Sequence, residues 1–276
     1  MAIIVIDSQI PLPPGFPMPA SVYNASTYRL ALRQTYDDAL LDSNNVRMVF
    51  YFHGSGSSGF LEGPLVDQLV SSGYFVIMIM APNAPGSDRI PYRHGYGNVN
   101  APHFTAHFIK DAWWVEVGGI LLENSTQAQG VFIGHSKGGT ACLSWAAGYT
   151  GRTSLPSNLK GIIANGSTVG GLGNGSWNDV NRNINSLSPI VAQLKAKTIL
   201  AYANNDAFAP PDYARRLQTV IPPDAETYMM SPGDFPHQWM NTPEGAPIVI
   251  DWVGQLMDDQ PILNVDGSPA VPGPVS

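Results

Sequence analysis

Charged side chains are scarce in this sequence: they make up 13% of its 276 residues, about half of the usual 25%. Acidic residues outnumber basic ones by 21 to 14, which gives a formal net charge of −7. A nucleic-acid-binding surface needs clustered lysine and arginine to displace counterions, so we expect no nucleic-acid partner. The only cysteine is Cys142, which excludes an intrachain disulfide and a cysteine-based zinc cluster.

Long apolar runs are also missing. No segment approaches the roughly 20 apolar residues of a membrane span. The first seven residues, MAIIVID, lack the basic start and the long apolar core of a signal peptide. We therefore expect a soluble, cytoplasmic protein with no membrane partner, and we interpret four Asn-x-Ser/Thr sequons, including the one at Asn165, as chance.

Glycine and proline are abundant, at 28 and 24 residues, which argues against a helical bundle. Short runs rich in apolar, β-branched or aromatic residues predict strands, and apolar residues recurring every three to four positions predict helices. The predicted strands are 27–35, 46–52, 74–80, 130–134, 159–164, 197–203 and 225–230; the predicted helices are 61–71, 104–123, 136–147, 211–219 and one that includes 248–256.

Alternation of strands and helices over 46–257 is typical of an α/β protein. We expect a mostly parallel, doubly wound sheet with helices on both faces and antiparallel strands at its N-terminal edge. Residues 1–260 are predicted to form a single domain, with a polar, Gly-rich loop excursion at 165–188. Residues 261–276 are predicted to be a Pro- and Gly-rich tail outside the core.

A Gly-x-Ser-x-Gly motif stands between a predicted strand and a predicted helix, with Ser136 between Gly134 and Gly138. A very tight strand-to-helix turn holds such a serine in a strained backbone conformation, so residues two positions away must lack side chains. The N-terminus of the following helix then lies under the serine and favours developing negative charge. A Gly-rich turn without function is the alternative, but the motif has the flanking elements that it requires.

The chain resembles the α/β-hydrolase superfamily over roughly residues 25–258, through residues 134–139 (GHSKGG) and the strand-end pair His53-Gly54. The resemblance implies the α/β-hydrolase fold and a catalytic triad in the order Ser, acid, His. Only one histidine follows Ser136, so that order requires His237 as the base. Asp206, in a loop after a predicted strand, occupies the position that the family uses for its acid. The other acids between them, which fit this position less well, are Asp179, Asp212, Asp224, Glu226 and Asp234.

The resemblance also implies an oxyanion hole built from backbone N–H groups. One should belong to Lys137, the residue after the nucleophile, whose side chain we expect to point to solvent. The other should come from the loop after Phe52, with Ser55 as first choice and Gly54 and Gly56 as its neighbours.

A rival motif occupies that same loop, since residues 54–59 match the Gly-x-Gly-x-x-Gly fingerprint of dinucleotide-binding proteins. The fingerprint also needs an acidic residue at the end of the next strand, but none follows until Asp88. It would leave Ser136, Asp206 and His237 without a role, so we reject it.

Other candidate residues are less informative. His103 and His107 have helical spacing for a metal pair, but no third ligand is suggested, so we predict no metal site. Cys142 is interpreted as a buried, inert thiol, and Trp113 and Trp114 as helix packing. Loop aromatics that could line a substrate pocket are Phe60, Tyr96, Phe104, Trp177, Phe208 and Trp239.

The sequence thus predicts a serine hydrolase, most simply a carboxylic-ester hydrolase, acting on a small-molecule ester and needing no cofactor. Two alternatives stay open. The same triad could act on amide, thioester or lactone bonds, or the fold could serve as a catalytically silent binding protein.

Overall fold

A computed structural model describes residues 2–16, 28–42, 45–54, 57, 59–81, 101–167, 188–222 and 224–273; for residues 41–42, 101–110, 211 and 213–214 it describes the backbone only. The strands are β1 (Ile3–Pro11), β2 (Arg29–Asp37), β3 (Val46–Phe52), β4 (Phe75–Ile79), β5 (Ala128–His135), β6 (Leu159–Asn165), β7 (Thr198–Ala201) and β8 (Thr227–Met230). The helices are α1 (Pro64–Ser71), α2 (Ala101–Asn124), α3 (Lys137–Ala146), α4 (Pro211–Gln218) and α5 (Gly245–Met257), and short 3-10 turns span Asp38–Asp42 and Trp239–Asn241.

The eight strands form one sheet in the order β1-β2-β4-β3-β5-β6-β7-β8. β1 pairs with β2 and β2 with β4 in antiparallel fashion, whereas every pairing from β4 to β8 is parallel. The predicted fold class is confirmed, including the antiparallel strands at the N-terminal edge. β5, which leads into the Gly-x-Ser-x-Gly motif, lies between β3 and β6 near the middle of the sheet.

Both faces of the sheet are covered, because successive side chains of a strand point to opposite faces. Phe50 and Phe132 belong to a buried cluster with residues of α2 and α3. Their neighbours Val49 and Val131 belong to a second cluster, with residues of α1 and α5. The strands that are buried on both faces are therefore the continuous apolar runs of the sequence.

Element boundaries differ from the prediction where local chemistry overrides periodicity. Leu61 has the spacing of a helical residue, but α1 begins at Pro64, after Gly63 with φ of 109°. Proline lacks an N–H and is suited to the first turn of a helix, so the helix begins there.

The predicted C-terminal tail contributes to the core at one residue at least. Ile262 is 1% exposed and belongs to the buried cluster that includes residues of α5.

Among the described residues, no helix is both long and apolar enough to cross a lipid bilayer. Residues 168–187, which make up most of the predicted loop excursion, lie outside the described residues.

Candidate active site

The six parallel strands, β3 to β8, have their carboxyl ends on the same side of the sheet, and the candidate residues follow those ends. Phe52 of β3 pairs with Gly134 of β5, and His135 pairs with Asn165 of β6. Ala201 of β7 pairs with Asn165 on one side and with Met230 of β8 on the other. Because these ends are in register, loops that are distant in sequence meet above them, where open α/β sheets bind ligands.

Ser136 stands at the turn between β5 and α3, with φ of 52° and ψ of −113°. A serine with positive φ is uncommon and costs about 1–3 kcal/mol, so the surrounding structure must hold it there. The turn leaves no space for side chains at the flanking glycines. A Cβ on Gly134 would lie 2.4 Å from the carbonyl oxygen of Gly138, and a Cβ on Gly138 would lie 2.1 Å from that of Phe52. The steric explanation of the motif is confirmed.

Asp206 and His237 are in direct contact, with Asp206 Oδ2 2.7 Å from His237 Nδ1. The other carboxylate oxygen, Oδ1, accepts hydrogen bonds from the backbone N–H groups of Phe208 (2.8 Å) and Ala209 (2.9 Å). The Asp206 side chain is fully buried and that of His237 is 12% exposed. Because a carboxylate only accepts, His237 Nδ1 carries the proton and Nε2 is left as the basic nitrogen.

Asn165 and Gly166 bring the serine and the histidine to one place. The carbonyl oxygen of Asn165 accepts the N–H of Ser136 at 2.8 Å. A Cβ on the adjacent Gly166 would lie 2.8 Å from His237 Cε1 and 3.0 Å from Asp206 Oδ2, and its φ is 52°. Ser136 and His237 therefore both lie against this short segment. Within the described part of the chain, no hydrogen bond joins the Ser136 hydroxyl to His237; such bonds are often long in a free enzyme and shorten when substrate binds.

Two further histidines are buried beside the site. The N–H of Ala81 donates to His53 Nε2 at 3.0 Å, so the His53 proton is on Nδ1, which lies 2.7 Å from the carbonyl oxygen of Gly54. Burial lowers the pKa of His53 to about 4. Burial, together with the nearby His237, lowers the pKa of His135 to about 3. Both imidazoles are thus neutral at neutral pH.

Of the proposed oxyanion donors, Lys137 is the first residue of α3, so its N–H has no partner within the helix. The Lys137 side chain, which we expect to point to solvent, is partly exposed and has a carboxylate partner. Lys137 Nζ lies 3.4 Å from Asp111 Oδ1 on α2, and the two side chains are 31% and 13% exposed. Ser55 lies outside the described residues.

The remaining candidates divide into core and surface residues. Cys142 and Trp114 are buried, as expected. Trp239, one of the aromatics that could line a pocket, is 0% exposed and belongs to the buried cluster with residues of α5, so it is a core residue. Phe208 is 42% exposed and its ring centroid lies 4.9 Å from that of His237. The candidates whose side chains lie outside the described residues are Tyr96, His103, Phe104, His107, Trp177 and Asp179.

The model of the alpha/beta hydrolase fold family matches residues 48–189, and the chain belongs to that family. A search of curated protein sequences finds no match. Among solved structures, the chain is similar to a cold-adapted esterase from an Arctic intertidal metagenomic library, with 12% identity and a TM-score of 0.60, covering 92% of this chain and 94% of that one. It is also similar to a monoacylglycerol lipase from Paleococcus ferrophilus, with 17% identity and a TM-score of 0.54, covering 76% and 94%. A third similar structure is an esterase from Pyrococcus furiosus, with 12% identity and a TM-score of 0.56, covering 93% and 91%. At these identities the likeness concerns the fold.

Sequence reasoning did not select Asn165 and Gly166. The only signal was their place directly after a predicted strand, which many residues share.

Proposed function

We infer that the protein is a serine hydrolase of carboxylic esters, with Ser136 as nucleophile, His237 as base and Asp206 as its orienting acid. The observation that carries this proposal is the buried Asp206–His237 hydrogen bond of 2.7 Å, at the same sheet edge as a serine with a strained backbone. Membership of the alpha/beta hydrolase family, with esterases and a lipase among similar structures, supports hydrolysis of an ester.

In the proposed reaction, His237 carries a proton between Ser136, the leaving alcohol and a water molecule. Ser136 Oγ attacks the carbonyl carbon and its proton passes to His237 Nε2, the unprotonated ring nitrogen. Asp206 holds the ring and stabilises the imidazolium that forms. The alcohol leaves with the proton from His237. A water molecule then attacks the acyl-enzyme, gives its proton to His237, and releases the acid as Ser136 Oγ recovers a proton.

Negative charge develops on the carbonyl oxygen during both attacks. The N–H of Lys137, at the N-terminus of α3, is suited to donate a hydrogen bond to that oxygen, and losing one such donor typically raises the barrier by about 3 kcal/mol. We propose the N–H of Ser55, in the loop after β3, as the second donor, because enzymes of this fold take one oxyanion donor from the corresponding loop.

The alcohol side of the substrate is expected to meet Phe208. A general acid must come within hydrogen-bond distance of the leaving oxygen, so the alcohol group lies beside His237. Phe208 is the exposed aromatic ring packed against that imidazole. This favours an ester with an apolar alcohol as the small-molecule substrate.

A fluorophosphonate label tests the nucleophile, because it reacts only with an activated serine. We expect one adduct, located on Ser136 by peptide mass spectrometry, and none on Ser136→Ala. A native protein that takes up no label would refute the proposal and favour a silent binding protein. Turnover of p-nitrophenyl esters beside matched anilides and thioesters then distinguishes ester hydrolysis from the alternative bonds.

A further inference from the structure

Asn165 is fully buried at the carboxyl end of β6, and its side chain connects two loops of the candidate site. Its Oδ1 accepts the indole N–H of Trp239 at 2.8 Å, and its Nδ2 lies 3.0 Å from His135 Nδ1. We propose that Asn165 is a positioning residue that joins the loop carrying His237 to the turn carrying Ser136 and holds His135 in one neutral tautomer. The inference rests on the proposed function, because Ser136 and His237 are the groups it positions.

The orientation of the amide follows from its partners. An indole N–H can only donate, so the atom of Asn165 that faces Trp239 must be the oxygen. The NH₂ group therefore faces His135 and donates to Nδ1, which places the His135 proton on Nε2. We call this chain of Trp239, Asn165 and His135 the amide bridge.

Both ends of the amide bridge are adjacent to proposed catalytic residues. Trp239 follows His237 by two residues, and Asn165 Nδ2 also lies 3.5 Å from the carbonyl oxygen of His237. His135 directly precedes Ser136, whose N–H donates to the carbonyl oxygen of Asn165. One side chain and its own backbone thus contact both loops, and a change in Asn165 alters the separation of Ser136 and His237.

The amide bridge also keeps a charge out of the site. The rings of His135 and His237 have centroids 4.7 Å apart. A positive charge on His135 would oppose the imidazolium that His237 must become during turnover. The ionisable groups that act on His135 are His237, Asp206 and His53. Asn165 supplies a neutral donor to Nδ1, so His135 is satisfied without a proton there.

A direct test compares Asn165→Ala and Asn165→Asp with the same two changes at Asn158. Asn158 is a matched control, because its Nδ2 donates to three backbone carbonyl oxygens, those of Leu122, Ser125 and Ala128. These contacts lie where β5 and β6 begin, at the opposite ends of the strands from the candidate site. Turnover of one p-nitrophenyl ester is measured between about pH 5 and pH 9, beside the midpoint of urea unfolding.

For Asn165→Ala we expect kcat to fall about 10- to 100-fold with KM nearly unchanged, since small displacements of reacting groups have effects of this size. For Asn165→Asp we expect a rise of about one unit in the pKa that limits kcat/KM on its acid side, because a carboxylate beside the two imidazoles favours their charged forms. The Asn158 variants should lose stability while keeping the wild-type kcat and pH profile. If both Asn165 variants keep kcat within about threefold and the wild-type pH profile, or if the Asn158 variants change them equally, the inference is refuted.

The tautomer gives a readout that does not need turnover. In ¹⁵N-labelled wild-type protein, with His135→Gln used for assignment, His135 should show a protonated Nε2 and an unprotonated Nδ1 from about pH 8 down to pH 5. In Asn165→Ala this preference should be lost. A His135 that is protonated on Nδ1, or that titrates with an ordinary pKa near 6.5, would overturn the inference. Absence of ester turnover and of fluorophosphonate labelling in the wild type would refute the proposed function alone, and the tautomer would still decide the amide bridge.

Discussion

Two buried clusters in this protein are each centred on a carboxylate, but they differ in the donors that surround it. In the first, Glu116 of α2 accepts hydrogen bonds from Trp145 of α3 (2.6 Å), Arg152 (2.6 Å) and Thr150 (3.4 Å). In the second, Asp206 accepts hydrogen bonds from two backbone N–H groups and from the His237 ring. Every strong partner of Glu116 is a permanent donor. His237 instead has a second ring nitrogen, which has no hydrogen-bond partner within the described part of the chain.

If the proposed function is correct, the first cluster contributes to stability and the second to catalysis. A carboxylate paired with a guanidinium and an indole is saturated, so it can only hold helices together. A carboxylate paired with an imidazole orients the ring and stabilises its protonated form, so the other ring nitrogen can accept a proton. Variants of Ser136, Glu116, the two buried histidines and Phe208 test this difference.

The largest effect is expected at Ser136. Ser136→Ala should lower kcat by about 10⁴ or more, because removing a triad nucleophile has consequences of this order. Its unfolding midpoint in urea should stay at the wild-type value. Ser136→Gly should be equally inactive yet more stable by about 1 kcal/mol, because glycine adopts φ of 52° without strain. Retention of turnover in either variant would place the nucleophile elsewhere.

Glu116→Gln should show the opposite pattern. Breaking the short pair with Arg152 leaves a largely buried guanidinium with weaker partners, so the free energy of unfolding should fall by about 3 kcal/mol. The kcat of the folded fraction should not change. Glu123→Gln is the control, since Glu123 is 55% exposed and an exposed pair is worth only about 0.5 kcal/mol. Equal losses in the two variants would contradict the comparison.

The two neutral histidines predict how stability depends on pH. In the folded protein the pKa of His53 is about 4 and that of His135 about 3, against about 6.5 in the unfolded chain. As the pH falls below about 6.5, the unfolded state binds protons first, so the free energy of unfolding decreases down to the folded pKa values. At pH 5 each histidine should account for a loss of about 2 kcal/mol relative to pH 8.

Urea unfolding of the wild type, His53→Gln and His135→Gln at both pH values measures this directly. Each substitution should make the difference in unfolding free energy between pH 8 and pH 5 smaller. A difference equal to that of the wild type would mean that this histidine has the same pKa in the folded and unfolded states.

The smallest effect concerns Phe208. If its ring contacts the alcohol, Phe208→Ala should lower kcat/KM for phenyl acetate about fivefold, since an aromatic contact is worth about 1 kcal/mol. The same variant should change kcat/KM for ethyl acetate little, and Phe208→Tyr should restore the wild-type preference. A uniform loss on both esters would indicate that the ring only supports His237.

Much of the fold and part of the site could be predicted because their signals are local. β3 was predicted at its observed bounds, since a run of aromatic and β-branched residues ends at a glycine-rich loop. The turn around Ser136 could be predicted because the glycines that it needs, Gly134 and Gly138, lie within the same five residues. The pairing of Asp206 with His237 was expected from the family resemblance, which supplies the chain order and the strand-end position of the acid. The structure places the two side chains in contact.

The amide bridge and the Lys137–Asp111 pair could not be predicted, because each depends on which elements become neighbours. Nothing in the residues around Asn165 shows that β6 lies beside β5, or that Trp239 returns over the end of β6. The burial of Trp239 could not be predicted either, because the sequence around an aromatic loop residue is the same whether the ring faces a pocket or the core.

The sequence by itself determined the alternation of strands and helices, the strained turn and the residue types available for catalysis, because backbone sterics and hydrophobic periodicity act over a few residues. Only the tertiary structure decided which histidines are neutral, where Lys137 finds its partner, and that one buried asparagine reaches both loops. Those properties arise from burial and from distances across neighbouring strands, which exist only after the sheet has assembled.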